Sequence, residues 1–484
     1  MKQTTLRMSA VAAAAATLAL VQPASQVHAA APGVPLPSVE GPIAAPDLPG
    51  SPTKNYTFLA TPIDLAARGY VEEEFFVSGT ACRYAGVGFA AASIVDCNWP
   101  YRTRIVVRRP AAPEAFNGTV IAEWQNVTAQ YDVDHYWLES SEHIIRSGYA
   151  WVGISAQRAG VQPLPPPANP LVSINTLRAW SPGRYGTLDV TANGAIVDDA
   201  LRFDIYAQAV QALRAPAGTG PLGPLAAEVV VAAGTSQSGS NLAAFHNSVA
   251  PLWQPVVDGY FIGESRGPLR TDLAVPVLRL LSEVDVSAAF TPPDAPNYRH
   301  WEVAGSSHAD AGFIENIQPL IARDGLFQIP PTCTFNPLSR IPKRYAYHAA
   351  WDHLDAWIRN GTLPPTAPRI RFVDADPGPG TTLVIDRDAF GNARGGIRLS
   401  EHEVATARNG AGNGGSGASA LFCTLFGLHL PFDEATIASL YPNHGRYVSQ
   451  VARVNAANVR AGYLLPVDSE ESTANAAGSG VGRR

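Results

Sequence analysis

The chain of 484 residues is 46% hydrophobic and 16% charged, which excludes a disordered chain or a charged coiled coil and predicts a packed, enzyme-sized body. Thirty-five Lys+Arg stand against 41 Asp+Glu, a formal charge of −6, and no long basic run is present to release counterions from a phosphate backbone, so nucleic acid is not an expected partner. At roughly 150 residues per domain the length accommodates three domains or one large α/β core with inserted loops, and 42 Gly with 41 Pro predict many turns.

In chain order, Lys2 and Arg7 precede an apolar run from Ala10 to Val21, followed by Val27-His28-Ala29. This is the pattern of an export signal over residues 1–29, whose apolar run is too short to span a hydrocarbon core of about 30 Å. A secreted or periplasmic protein without stable membrane insertion is expected. Four cysteines in an exported chain predict disulfides, and the pairing Cys82–Cys97 with Cys333–Cys423 closes the easiest loops. Residues 30–53, rich in Pro, Ala and Gly, read as an extended leader. The main domain is expected over 54–467. Strands are predicted at Arg104–Val107, Gly118–Trp124, Tyr149–Ile154, Glu228–Ala232, Val256–Ile262, Pro276–Leu281 and His300–Val303. Between them, helices are predicted at His135–Ser147, Asp204–Leu213 and Ser240–Ser248, an alternation that implies a mostly parallel central sheet flanked by helices. From about residue 330 a C-terminal elaboration follows. It contains a helix at Tyr347–Ile358, a hairpin of Thr382–Ile385 with Gly396–Leu399, and two closing helices at Asp433–Leu440 and Tyr447–Val459. Stretches 162–170 and 409–419 read as loops, and the small, polar tail 468–484 reads as disordered.

The segment Glu228-Val-Val-Val-Ala-Ala-Gly-Thr-Ser-Gln-Ser-Gly-Ser is a buried strand entering a small-residue turn and a helix. A sharp strand-to-helix turn exposes a serine hydroxyl and aims backbone N–H groups at developing oxyanion charge. Centred on Ser238 the pattern is S-x-S-x-S, which keeps small flanks in place of the glycines of G-x-S-x-G. Downstream, one strand ends in Ser282-Glu283-Val284-Asp285 and another in Gly305-Ser306-Ser307-His308, so serine, acid and histidine follow in that order. His308 suits a general base, and Asp285 or Glu283 a carboxylate that holds its tautomer; Glu264, after the preceding strand, is a third choice. Gly239 is the expected first oxyanion donor, with Gln125, Asn126 or Val127 after the strand at Thr119–Trp124 as the second.

No metal and no organic cofactor is implied: Asp386-x-Asp388 carries Phe390 at a calcium-ligand position, His348 and His353 lack H-E-x-x-H, and no G-x-G-x-x-G follows a strand.

With these residues the chain resembles the α/β-hydrolase superfamily, and within it a family of large bacterial α/β-hydrolase domain proteins. The resemblance rests on Ala122-Glu-Trp-Gln-Asn-Val-Thr, Gly148-Tyr-Ala-Trp-Val-Gly-Ile-Ser-Ala-Gln, Ser236-Gln-Ser-Gly, Trp301-Glu-Val-Ala-Gly-Ser-Ser-His-Ala-Asp and Asp388-Ala-Phe-Gly-Asn-Ala-Arg-Gly-Gly-Ile-Arg. It implies an α/β-hydrolase fold and a serine hydrolase acting on small-molecule or polymer esters through an acyl-enzyme, with Ser238 as nucleophile and His308 as base. The alternatives are an extracellular binding module without chemistry, and an amidase or acyltransferase using the same triad. Neither acyl length nor oligomeric state is written in the sequence.

Overall fold

The computed structural model describes residues 31–163, 174–288, 292–328, 332–376 and 382–483. The expected export signal lies outside the described residues, as does the loop 162–170 from residue 164 onward. All seven predicted strands are present in a nine-stranded sheet: β1 (Ser38–Glu40), β2 (Tyr70–Ala85), β3 (Ser93–Pro110), β4 (Thr119–Trp124), β5 (Ala150–Ile154), β6 (Val229–Thr235), β7 (Gly259–Gly263), β8 (Val277–Ser282) and β9 (Tyr298–Val303). Their order is β1-β2-β3-β5-β4-β6-β7-β8-β9. From β5 to β9 every neighbouring pair is parallel, and β1, β2 and β3 run antiparallel at one edge.

Both faces of the parallel strands are covered, which is why they read as continuous apolar runs. Val120, Ala122, Val230, Ala232 and Ile262 pack on one face with α2 (Arg202–Leu213). Ile121, Val231, Ala233, Phe261 and Leu280 pack on the other with α1 (His135–Arg146) and α5 (Arg344–Asn360). Between these lie α3 (Ser236–Ala244) and α4 (Ala311–Asp324). The elaboration adds α6 (Ala420–Phe426), α7 (Glu434–Leu440), α8 (His444–Ala461) and α9 (Pro466–Gly478).

Several expectations are corrected. The long strand β2, which carries Glu72-Glu73-Glu74, was not among the predicted strands. Arg108, Arg109 and Arg104 of β3 each bind one of these glutamates at 2.7 Å, which allows the run to enter the sheet. The leader contributes β1 to the sheet edge. The hairpin of Thr382–Ile385 with Gly396–Leu399 does not form; β11 (Leu383–Ile385) pairs with β10 (Phe372–Asp374), and β12 (Ala407–Gly410), whose last two residues overlap the expected loop 409–419, pairs with β13 (Leu428–Pro431). The tail expected to be disordered forms α9, whose buried Asp468 accepts from His348 Nδ1 at 2.9 Å.

Both expected disulfides, Cys82–Cys97 and Cys333–Cys423, are present. Among the described residues no helix is long and apolar enough to cross a membrane.

Candidate active site

Parallel strands place all their C-terminal ends on one edge of the sheet, so the loops after β4, β6, β7, β8 and β9 meet there. After β6 the chain turns directly into α3, and Ser236, its first residue, holds φ +57°. A non-glycine residue in the left-handed region stores strain that persists only where its surroundings enforce it. The enforcement comes from close packing: a Cβ on Gly234 would lie 2.9 Å from the Ser238 carbonyl oxygen, and one on Gly239 would lie 2.8 Å from that of Gly263. The elbow is therefore Gly234-Thr235-Ser236-Gln237-Ser238, a G-x-S-x-S frame centred two residues before the expected serine.

Ser238 itself is fully buried. Its Oγ accepts from the Thr235 N–H at 3.1 Å and donates to the Thr235 carbonyl at 2.9 Å, which closes the first turn of α3. Ser236, half-buried, lines a cavity that His308 also lines, with about 690 Å³ of empty space including its open mouth. Of the two serines, Ser236 lines this cavity together with His308 and Ser238 does not.

His308 Nδ1 lies 2.9 Å from Asp285 Oδ2, which also accepts from Ser282 Oγ at 2.6 Å. Nε2 is left as the basic nitrogen. Burial pushes Asp285 up, but the charge and hydrogen bond of His308 outweigh it and hold the carboxyl below its ordinary range. Conversely, burial pushes His308 down, and Asp285 followed by Glu264 outweighs this, so its pKa is raised above 6.5. Glu283 is used elsewhere: it accepts from the Gly305 N–H at 2.6 Å and pairs with Arg387 at 2.7 Å, fixing the turn that presents the histidine.

Behind the pair lies a buried charge cluster. Glu264, Asp285 and His308 each offer an atom within 4.8 Å of the others, a spacing that can hold a cation. Lys343 brings a positive charge to this cluster: its Nζ lies 3.5 Å from both Glu264 Oε1 and Glu139 Oε1 and donates to the Ser307 and His308 carbonyls. Burial pushes Lys343 down, but Glu264, Glu139 and Asp310 outweigh it and keep the ammonium charged.

The oxyanion candidates separate by their hydrogen bonds. The Gln125 N–H is spent on the Ile154 carbonyl at 3.2 Å and the Asn126 N–H on the Val133 carbonyl at 3.3 Å, while the Asn126 side chain pins the loop to the Thr235 carbonyl at 3.0 Å. The Val127 N–H points to Gln237 Oε1 at 3.4 Å, beside the elbow. Gly239 is buried against β7, and the residue after Ser236 is Gln237, which stands in the first turn of α3, where N–H groups have no partner within the helix. Its side chain is held by Gln157 at 2.9 Å.

The remaining cavity wall is largely apolar, with Thr128, His135 and Gln328 as its polar members beside Asn126. Tyr131 comes from the loop after β4, Phe313 and Ile317 from α4, and Phe422, Leu425 and Phe426 from α6. Sequence reasoning missed α4 and α6 as walls. Cys423 ties α6 to Cys333, and the Leu425 and Phe426 carbonyls accept from Ala309 and Ser339 at 3.0 and 3.1 Å.

The sequence matches the family described as Alpha/beta hydrolase domain over residues 39–474. No curated protein matches it. Among solved structures, acetyl xylan esterase 1 from Thermoanaerobacterium sp. JW/SL YS485 shares 13% identity over 42% of this chain and 50% of its own, with a TM-score of 0.23. The chain thus spans half of that esterase's length. A serine hydrolase without a lid from Xanthomonas campestris shares 13% over 52% of this chain and 97% of its own, with a TM-score of 0.26. At these scores the likenesses fix neither substrate nor residue roles.

Proposed function

The protein belongs to the alpha/beta hydrolase domain family, and from that premise we propose that it is an exported serine hydrolase that cleaves neutral carboxylic esters through an acyl-enzyme on Ser236. One observation carries the reading: Ser236, on a positive-φ elbow, shares a cavity with His308, whose other ring nitrogen is held by Asp285. In this mechanism Ser236 Oγ attacks the ester carbonyl and His308 Nε2 takes its proton. The Gln237 and Val127 N–H groups receive the oxyanion charge, and the proton passes to the departing alkoxide. Water then repeats the sequence and releases the acid. Export is supported by the N-terminal signal pattern and the two disulfides.

The substrate's charge follows from the wall. Among the described residues lining the cavity there is no Lys, Arg, Asp or Glu, and seven of them are Phe, Ile or Leu. A charged acyl group would be desolvated there without a side chain of opposite formal charge, so the reading is a neutral ester with an apolar acyl arm.

A fluorophosphonate, which needs an activated serine, is expected to label the purified protein at Ser236, located by fragmentation of the labelled peptide. Labelling should slow as pH is lowered through a value above His308's ordinary range, because the base must be neutral and its pKa is raised. A folded protein that resists the reagent, or carries it on Ser238, overturns the assignment. Filling the wall with Leu425→Trp should lower kcat/KM for octanoate esters about tenfold and leave acetate esters within about twofold; an equal effect on both chain lengths would move the acyl group out of this cavity.

A further inference from the structure

Two neighbouring strands end in carboxylates beside the same histidine: Glu264 directly after β7, and Asp285 in the turn after β8. Asp285 takes the hydrogen bond of His308 Nδ1. Glu264 is fully buried and gripped from two sides. Tyr347 Oη donates to its Oε1 at 2.6 Å, and the Ser282 N–H donates to its Oε2 at 2.7 Å. The same Ser282 uses its hydroxyl to bind Asp285 Oδ2 at 2.6 Å, so one residue bridges the two acids. Glu264 also holds φ +49°, a strained setting for a residue that carries a Cβ.

We propose that Glu264 is a positioning residue of the site: through Ser282 it fixes Asp285 against His308 Nδ1, and its negative charge joins that of Asp285 in stabilising the imidazolium formed during turnover. The proposal rests on the Ser236–His308–Asp285 reading. The serine proton moves to His308 Nε2 and on to the leaving group, and Glu264 neither gives nor takes one. Groups facing the acids are Tyr136, Glu139 and His135 of α1, Lys343 and Tyr347 at the start of α5, and Asp310 after the histidine. Arg266 lies 3.9 Å from Asp285 Oδ1. Burial pushes Glu264 up and Lys343 opposes this, which keeps its ionisation sensitive to each neighbour.

The test is the pH dependence of kcat and KM on a p-nitrophenyl ester for the native protein, Glu264→Gln and Tyr347→Phe. With Glu264 uncharged, the His308 imidazolium loses support and its pKa falls. For E264Q, kcat at about pH 8 is expected to drop about tenfold with KM within about twofold, and the acidic limb to move down by about half a pH unit. Y347F removes one bond that favours the carboxylate and should move the limb the same way by less. A folded E264Q with native kcat and an unmoved limb overturns the proposal. So does a loss that matches a lower fraction of fluorophosphonate-titratable sites with the limb in place. If E264Q does not fold, an unmoved limb in Y347F is decisive against it. Failure of the underlying reading is separate, because then the native protein takes no label at Ser236.

Discussion

Replacing Ser236 with alanine is expected to lower kcat by a factor on the order of 10⁶ while the protein stays folded, because the nucleophile of a cooperative triad cannot be bypassed. Ser236 is half-buried, and its hydroxyl is not needed to close the helix turn, a task performed by Ser238. The contrasting variant is Ser238→Ala. It removes the two hydrogen bonds that cap the first turn of α3 and should cost about 1 kcal/mol of stability, with turnover retained. The pair of variants separates the two serines of the same turn by ester hydrolysis and by denaturant midpoint. Loss of activity in S238A alone would return the nucleophile to the frame centred on Ser238.

Lys343→Met is expected to have the largest effect on stability. The ammonium is fully buried and faces Glu139 and Glu264 at 3.5 Å each. A methionine fills the space but leaves those carboxylates without their counter-charge, at a cost of about 3–5 kcal/mol. The pH dependence has a definite sign. Burial already pushes Glu139 and Glu264 up, and without the ammonium both rise further. Protonation of these acids relieves the penalty, so the deficit relative to the native protein is largest above neutrality and shrinks as pH falls toward about 5. Equal denaturant midpoints for the two proteins at alkaline pH would mean that the carboxylates are neutral in the native fold. Activity should fall as well, because Lys343 also holds the His308 carbonyl.

Much of the core was legible in the chain because local pattern and tertiary role agree. The strands of the parallel sheet are apolar on both faces and bounded by turns, and α1, α2 and α5 show helical spacing. Where local pattern and tertiary role conflict, reading failed. Glu72-Glu73-Glu74 becomes strand only because arginines 30 and more residues later cross the ladder to meet it. Asp468 lies in a polar tail, yet it is buried because His348 and Arg146 receive it.

The elbow shows the same division at atomic scale. Three serines alternate over five residues, at 236, 238 and 240, and composition alone ranks none of them first. The five-residue frame beginning at the strand's last glycine, Gly234, was the available signal. It became decisive once backbone geometry placed the positive φ at 236 and the buried cap at 238. Likewise both acids of Glu283-Val284-Asp285 stand in one short turn, and only their partners distinguish them: Arg387 and Gly305 take the glutamate, His308 the aspartate.

By itself, then, the sequence determined the alternation of strand and helix, the order of serine, acid and histidine, and the two cysteine pairs, because each depends on local periodicity or on spacing along the chain. The tertiary structure decided which serine lines the cavity with the histidine, which acid bonds it, that Lys343 and Glu264 stand close by, and that α6 walls the cavity from more than a hundred residues downstream. Those outcomes depend on side-chain direction, burial and charge compensation between segments distant in sequence, which are fixed only when the strand ends converge on one edge of the sheet.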